Sequence, residues 1–517
     1  MNALTIVLAS LMALSPVAPS TGAAADRNAA PEACRALADL RIDDTNLLSA
    51  TVVPAGGGLP EYCRVLGYVR PAINFEIRLP TANWNGKFYM AGCGGFCGKL
   101  SSATDFVLDV KRALRRQYAV SMTDAGHWGE HIFEASWGYH NRPAEIDFGY
   151  RAVHETARVT KAIIEAFYHK APAQSYFGGC SNGGRQGVME ASRYPEDFDG
   201  IISGAPALDV TGLMLNFAWV ARAITGPDGK NLLTPTEVAL IEKAVSRACD
   251  PLDGLTDGLI DDPRACRFDP STLACASGKS ADCLSSRQVD AVRALYQGPR
   301  NSAGRQLHHG FPLGSEPYWA YWYTGQTSDA SDDPFPRAGE GFLRYLGFEA
   351  DPGAGYTVAD LDLDRDPPRL EALGKVYNAT NQDLDAFRRR GGKLLMWHGW
   401  ADPGPSPMQS IAYYDAVEGR VGSREPTQAF FRLFMMPGMD HCGIVDGPGI
   451  RDAGIDPLTA LERWVEHKEA PASLPMTKTD SMGKVLWTRP ACPYPQRAIY
   501  TGRGDRKAAT NFRCAGP

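Results

Sequence analysis

Beyond its first residues, the 517-residue sequence has no apolar run long enough to read as a membrane span. It also has no large excess of either charge. Its 53 Lys and Arg stand against 59 Asp and Glu, a formal charge of −6. That balance gives no footing for nucleic acid or an anionic membrane as partner. Internal repeats and low-complexity tracts are missing, which leaves no basis for a solenoid or a disordered tail. Cys93-Gly-Gly-Phe-Cys97 is followed by no second Cys/His pair at zinc-finger spacing, which argues against zinc. The first residues carry no Lys or Arg, although residues 4–14 form an apolar run of signal-peptide length ahead of Ala23-Ala24-Ala25.

What is present is a chain of ordinary globular composition, 44% hydrophobic and 22% charged, large enough for more than one domain. Twelve cysteines behind a signal peptide (residues 1–25) favour disulfides over metal thiolates. The mature protein is expected to be soluble and secreted or periplasmic.

Gly179-Cys180-Ser181-Asn182-Gly183 fits G-x-S-x-G, a strand-to-helix turn that exposes a serine hydroxyl. The short aromatic stretch Ser175-Tyr176-Phe177 precedes it and reads as a strand. Arg185 to Tyr194 reads as a helix that Pro195 ends. Strands are also expected at 88–90, 118–122, 393–397 and 430–436, and long helices at 150–168 and 458–467. Phe198 to Pro206 should contain the strand after the elbow. This alternation predicts an α/β-hydrolase fold, a mostly parallel sheet covered by helices. Residues 26–206 form its first part and 381–517 its second. Residues 207–380, rich in Pro, Gly, Asp and Trp, read as an inserted lid.

Acyl transfer needs an activated hydroxyl, a base within reach and an acid that orients the base. Ser181, Asp402 and His441 follow the chain order Ser, Asp, His, and the last two lie just beyond predicted strands. His127 and His398 compete as bases, but neither follows the last strand. Asp440 and Asp446 compete as acids, but sit too close to His441 for a separate loop. Cys180 beside the serine and Cys442 beside the histidine imply a bond tying the two loops together. For an oxyanion hole, the N–H of Asn182 and that of Cys93, with Gly94 close behind, are the candidates. A plain glycine turn at 92–95 is the alternative.

Between Cys249 and Asp261, Asp250, Asp253, Asp257 and Asp261 crowd one short stretch. Its chemistry suits a calcium loop and a solvated turn equally. Tyr318 to Tyr323 is dense in aromatics and serves as lid core or as a wall for an aromatic ligand. Trp319 and Trp322 are its two tryptophans.

Together these motifs resemble the tannase/feruloyl esterase family. The resemblance covers nearly the whole mature chain. It rests on Thr123-Asp124-Ala125-Gly126-His127, Gly178 to Gln186, Arg193-Tyr194-Pro195 with Phe198-Asp199-Gly200, His398-Gly399-Trp400-Ala401-Asp402, and Pro437 to Cys442. It implies hydrolysis of small esters of aromatic acids such as ferulate or gallate, with no organic cofactor. Hydrolysis of mono(hydroxyethyl) terephthalate, an activity of the same family, is the runner-up, and a non-catalytic binding protein a more distant one. Arg337 and Arg344 are candidates, by location only, to grip a free terephthalate carboxylate. The resemblance also implies a structural Ca²⁺ held by the carboxylates of Asp250, Asp253 and Asp257 and the carbonyls of Leu255 and Leu259. It implies the disulfides Cys34–Cys63, Cys180–Cys442, Cys249–Cys266, Cys275–Cys283 and Cys492–Cys514. Cys93 and Cys97 are left over, where an all-glycine stretch is more usual. A bridge between them beside the oxyanion loop is one option.

Overall fold

The computed structural model describes residues 29–100, 110–276, 282–325 and 334–516. The expected signal peptide, 1–25, lies outside them. Nine strands form the main sheet: β1 (Thr45–Val53), β2 (Tyr62–Val69), β3 (Ile73–Pro80), β4 (Lys87–Ala91), β5 (Ala119–Thr123), β6 (Gln174–Cys180), β7 (Gly200–Gly204), β8 (Lys393–Gly399) and β9 (Phe431–Met436). Their spatial order is β1-β2-β3-β5-β4-β6-β7-β8-β9. The first three strands and the β3–β5 pair are antiparallel, and every neighbouring pair from β5 to β9 is parallel. The mostly parallel sheet is therefore an α/β-hydrolase sheet that begins with an antiparallel edge.

The central strands are apolar on both faces, as a sheet covered by helices on both sides requires. Phe88 and Met90 of β4 enter one core cluster, while Tyr89 and Ala91 enter the other. The same period of two separates Phe177 from Tyr176 in β6 and Met396 from Trp397 in β8. Each large side chain buried this way contributes roughly 1.5–3 kcal/mol.

Helix α1 (Ala152–Tyr168) matches the long expected helix, but a wider π-helical turn at Asp147–Arg151 precedes it. Helix α2 (Asn182–Arg193) starts directly after Ser181, earlier than the sequence pattern implies, because the glycines there pack tightly rather than forming a loop. Between the parallel neighbours β7 and β8 the chain leaves the sheet. There it forms α3 (Val210–Ile224), α4 (Pro235–Cys249), α5 (Ser286–Gln297), α6 (Pro334–Tyr345) and α7 (Asp366–Tyr377). α3 and α6 pack on each other. After β8 come α8 (Pro407–Val421) and, beyond β9, α9 (Pro457–His467). Two small antiparallel pairs, Leu474–Thr479 with Val485–Ala491 and Arg497–Tyr500 with Phe512–Ala515, end the chain.

All twelve cysteines are bonded. The pairs are Cys34–Cys63, Cys93–Cys97, Cys180–Cys442, Cys249–Cys266, Cys275–Cys283 and Cys492–Cys514. Among the described residues no helix is long and apolar enough to cross a membrane.

Candidate active site

Ser181 sits between β6 and α2 with φ 64° and ψ −123°. A non-glycine residue holds such a conformation only where its surroundings impose it. Its N–H donates to Gly204 O at 2.9 Å, and its carbonyl accepts from Arg185 N at 3.0 Å. The flanking glycines are steric necessities. A Cβ on Gly179 would lie 2.6 Å from the carbonyl carbon of Gly183, and one on Gly92 would lie 2.8 Å from Gly183 Cα. The loop after β4 therefore rests directly on the first turn of α2.

Asp402 and His441 stand at the carboxyl ends of β8 and β9, and both are buried. His441 Nδ1 lies 2.7 Å from Asp402 Oδ2, and Gly404 N donates to Asp402 Oδ1 at 2.7 Å. Burial pushes the Asp402 carboxyl up. The charge of His441 and the hydrogen bonds from His398 and His441 outweigh burial and hold it below the usual carboxylate range. His441 Nε2 lies 3.7 Å from Cys442 Sγ. Among the described residues no hydrogen bond joins His441 to Ser181. What ties the two loops is the Cys180–Cys442 bond, with Cα atoms 6.0 Å apart across 262 residues. In the chain-entropy model so long a closed loop is worth about 5 kcal/mol.

The competing residues have other partners. His127 Nε2 bonds Phe96 O at 2.7 Å, its ring stacks on Trp137 at 3.6 Å, and burial lowers its pKa to about 4. Asp440 is buried, accepts from Val445 N at 3.1 Å, and is pushed up by burial and by the charge of Asp402. Asp446 pairs with Lys478 at 2.6 Å. His398 is less detached, because its Nε2 lies 3.2 Å from Asp402 Oδ2.

The oxyanion loop requires a correction. The Cys93 N–H donates to the side-chain oxygen of Gln186 at 3.2 Å, so it is already engaged. Among the described residues the N–H of Gly94, the second candidate of this loop, donates to no protein group. Asn182 is the first residue of α2, so its N–H has no acceptor within the helix.

Beside Ser181 lies a small cavity of about 30 Å³, walled by Phe96, Phe133, Phe148, Phe217 and Phe335 among other apolar residues. No charged side chain of the described residues lines it. Arg344 is engaged elsewhere, donating to Tyr356 O at 2.6 Å and pairing with Glu340 at 2.6 Å. Arg337 is exposed. The aromatic run divides. Trp319 is fully buried in the lid, with its Nε1 donating to Ser315 Oγ at 2.9 Å. Trp322 stacks on Phe335 at 4.4 Å and meets His441 edge-on at 5.6 Å. Trp319 is thus core of the insertion, and Trp322 backs Phe335 and His441.

In the acidic turn, Asp250 accepts from the N–H groups of Asp257 and Gly258, each at 3.1 Å. Asp257 accepts from Leu259 N and pairs with Arg489, which also lies 3.3 Å from Asp261. Asp253 Oδ1 accepts from Leu255 N at 2.8 Å, whereas its Oδ2 is buried with no partner. Burial above all, with the charges of Asp257 and Asp250, pushes the Asp253 carboxyl up. Among the described residues no three acidic, histidine or cysteine side chains form a ready cation shell. The donor type nevertheless fits a hard cation: oxygen throughout, with one buried oxygen unsatisfied.

The chain is similar to known esterases in sequence and in fold. A mono(2-hydroxyethyl) terephthalate hydrolase from Piscinibacter sakaiensis is 34% identical over 535 residues, covering 91% of this chain and 87% of that protein. An uncharacterised esterase from Xanthomonas campestris is 34% identical, covering 99% and 95%. The crystal structure of feruloyl esterase B from Aspergillus oryzae superposes with a TM-score of 0.83 at 28% identity, covering 94% of this chain and all of that one. The family model described as tannase and feruloyl esterase matches residues 59–515. With a serine elbow, a buried His–Asp pair and a helical insertion between β7 and β8, the chain belongs to the tannase and feruloyl esterase family of carboxylic ester hydrolases.

Proposed function

We propose that the protein is a secreted serine esterase that hydrolyses small esters of uncharged aromatic acids through an acyl-enzyme. Ser181 Oγ attacks the ester carbonyl while His441 Nε2 takes its proton. Asp402 holds His441 by Nδ1 and stabilises the imidazolium. The N–H groups of Asn182 and Gly94 hold the oxyanion. The tetrahedral adduct collapses, the C–O bond to the leaving alkoxide breaks, and His441 returns the proton to it. Water then attacks the acyl-enzyme, with His441 as base, releasing the acid and restoring Ser181.

The observation that carries this reading is the 2.7 Å His441–Asp402 contact on loops bonded to the Ser181 elbow through Cys180–Cys442. The apolar, phenylalanine-rich cavity supports an uncharged aromatic acyl group over a free carboxylate. Six disulfides support folding in an oxidising compartment. Calcium held by Asp250, Asp253 and Asp257, with the carbonyls of Leu255 and Leu259, would stabilise the lid by neutralising crowded carboxylates. It would supply no step of the chemistry. Turnover of p-nitrophenyl acetate, methyl ferulate, methyl gallate and mono(hydroxyethyl) terephthalate tests the reading. Turnover confined to the last substrate would contradict the acyl preference, and no turnover of any would contradict an esterase.

A further inference from the structure

The loop after β4 is gripped from α2 by two amides one helical turn apart. Asn182 Nδ2 donates to Cys93 O at 3.2 Å and approaches Cys97 Sγ at 3.2 Å. Gln186 Oε1 accepts from Cys93 N at 3.2 Å, and its Nε2 lies 3.4 Å from Cys93 Sγ. Residues four apart share one helix face, so both amides meet the same loop. Asn182 and Gln186 are buried, and the Cys93–Cys97 bond closes the loop across four residues. Arg185 fixes the sense of the grip: its Nε donates to Asn182 Oδ1 at 2.7 Å, which turns the amide nitrogen toward Cys93. The same guanidinium donates to Phe148 O, Gly149 O and Tyr377 O. At the far end of the loop His127 bonds Phe96 O and Ile132 O accepts from Phe96 N.

A side chain that captures one N–H of a loop decides which neighbouring N–H is presented. We infer that Gln186 is a positioning residue: it holds the Cys93 N–H out of the reaction and so presents the Gly94 N–H to the ester oxyanion. The Cys93–Cys97 disulfide keeps the loop from relaxing off the helix. The inference rests on the serine-esterase reading of Ser181. Gln186 touches no substrate, so its loss should act on the transition state more than on substrate binding.

The test is Gln186→Met, similar in length but without the amide, assayed with p-nitrophenyl benzoate and with benzeneboronic acid, whose tetrahedral serine adduct mimics the oxyanion intermediate. The expected result is a fall in kcat of about ten- to a hundredfold with KM within about twofold. Boronate affinity should weaken in parallel with kcat/KM. Gln186→Glu keeps an acceptor for Cys93 N and should recover most of kcat. If the Met variant does not fold, Gln186→Asn, whose amide falls short of Cys93, carries the same test. A folded variant with kcat within twofold of the parent, or with kcat lost but boronate affinity intact, overturns the inference. Full turnover in Ser181→Ala would instead overturn the reading beneath it.

Discussion

His398 Nε2 lies 3.2 Å from Asp402 Oδ2, the same oxygen that His441 Nδ1 approaches at 2.7 Å. His398 is wholly buried, and its Nε2 also lies 2.9 Å from Pro405 O. Both neighbours are acceptors, so Nε2 carries a proton, and Nδ1 lies 2.7 Å from the Ser410 hydroxyl. One imidazole thus fixes the carboxylate that fixes the other.

His398→Phe should keep the ring volume and remove the donor. Its kcat is expected to fall about tenfold to a hundredfold through misplacement of Asp402. Loss of one donor should also let the Asp402 carboxyl rise, so activity near pH 5 falls more than activity near pH 8. The other titratable groups facing Asp402 are His441, Asp440 and Tyr323, and none is altered by the change. His398→Asn, which restores an N–H donor, should regain part of the rate. Equal loss at every pH, with no rescue, would reduce His398 to packing.

Trp322→Leu should change the ratio of methyl ferulate to p-nitrophenyl acetate turnover, because Trp322 backs Phe335 and His441. Trp319→Ala should instead lower the melting temperature and all turnover together, since emptying a buried tryptophan costs about 3–5 kcal/mol. Steady-state kinetics and thermal melts on both variants separate the roles. Identical behaviour would contradict the division between a side chain that backs the site and one in the core.

These two tryptophans show where the sequence stops being legible. Period-two apolar runs ending in His-Gly-Trp-Ala-Asp and Pro-Gly-Met-Asp-His make β8, β9 and their loops readable. The G-x-S-x-G turn is readable because its glycines answer a local steric demand. Which tryptophan of a run faces the site depends on lid packing against α3 and α6, which no local period encodes. The Cys93 N–H is lost for the same reason: its acceptor, Gln186, lies 93 residues away. Of the antiparallel edge, β1 escaped because it is only half-buried and alternates weakly.

Calcium should raise the melting temperature, and chelation should lower it, with kcat unchanged on folded protein. Asp253→Asn should remove most of that response, since Asp253 holds the unpartnered oxygen. A melt indifferent to both calcium and chelator would contradict the site.

Glu316 is buried in the lid, accepts from Tyr296 OH at 2.7 Å and Gly314 N at 2.8 Å, and is pushed up to about 7 by burial. The unfolded chain releases this proton near the usual glutamate value, and the folded chain holds it until about pH 7. The folded state therefore has its full advantage below the unfolded pKa and loses it as pH rises through the folded one. The loss is on the order of 3 kcal/mol across that window. Glu316→Gln should gain stability relative to the parent from about pH 4.5 to 7, then run parallel to it. Melts across pH measure this, and a pH-independent difference would contradict a buried, protonated Glu316.

The central claim, that Ser181 is acylated by an aromatic ester, is tested most directly by intact-protein mass measurement after rapid acid quench of a p-nitrophenyl benzoate reaction. The parent should show an added benzoyl mass on the peptide containing Ser181. Accumulation should increase in His441→Gln if its deacylation is slowed more than its acylation. Ser181→Ala should show no adduct, and its turnover should fall by about three or more orders of magnitude while its fold is retained. Full turnover by Ser181→Ala, or a benzoyl group on any other residue of an active enzyme, would contradict the account.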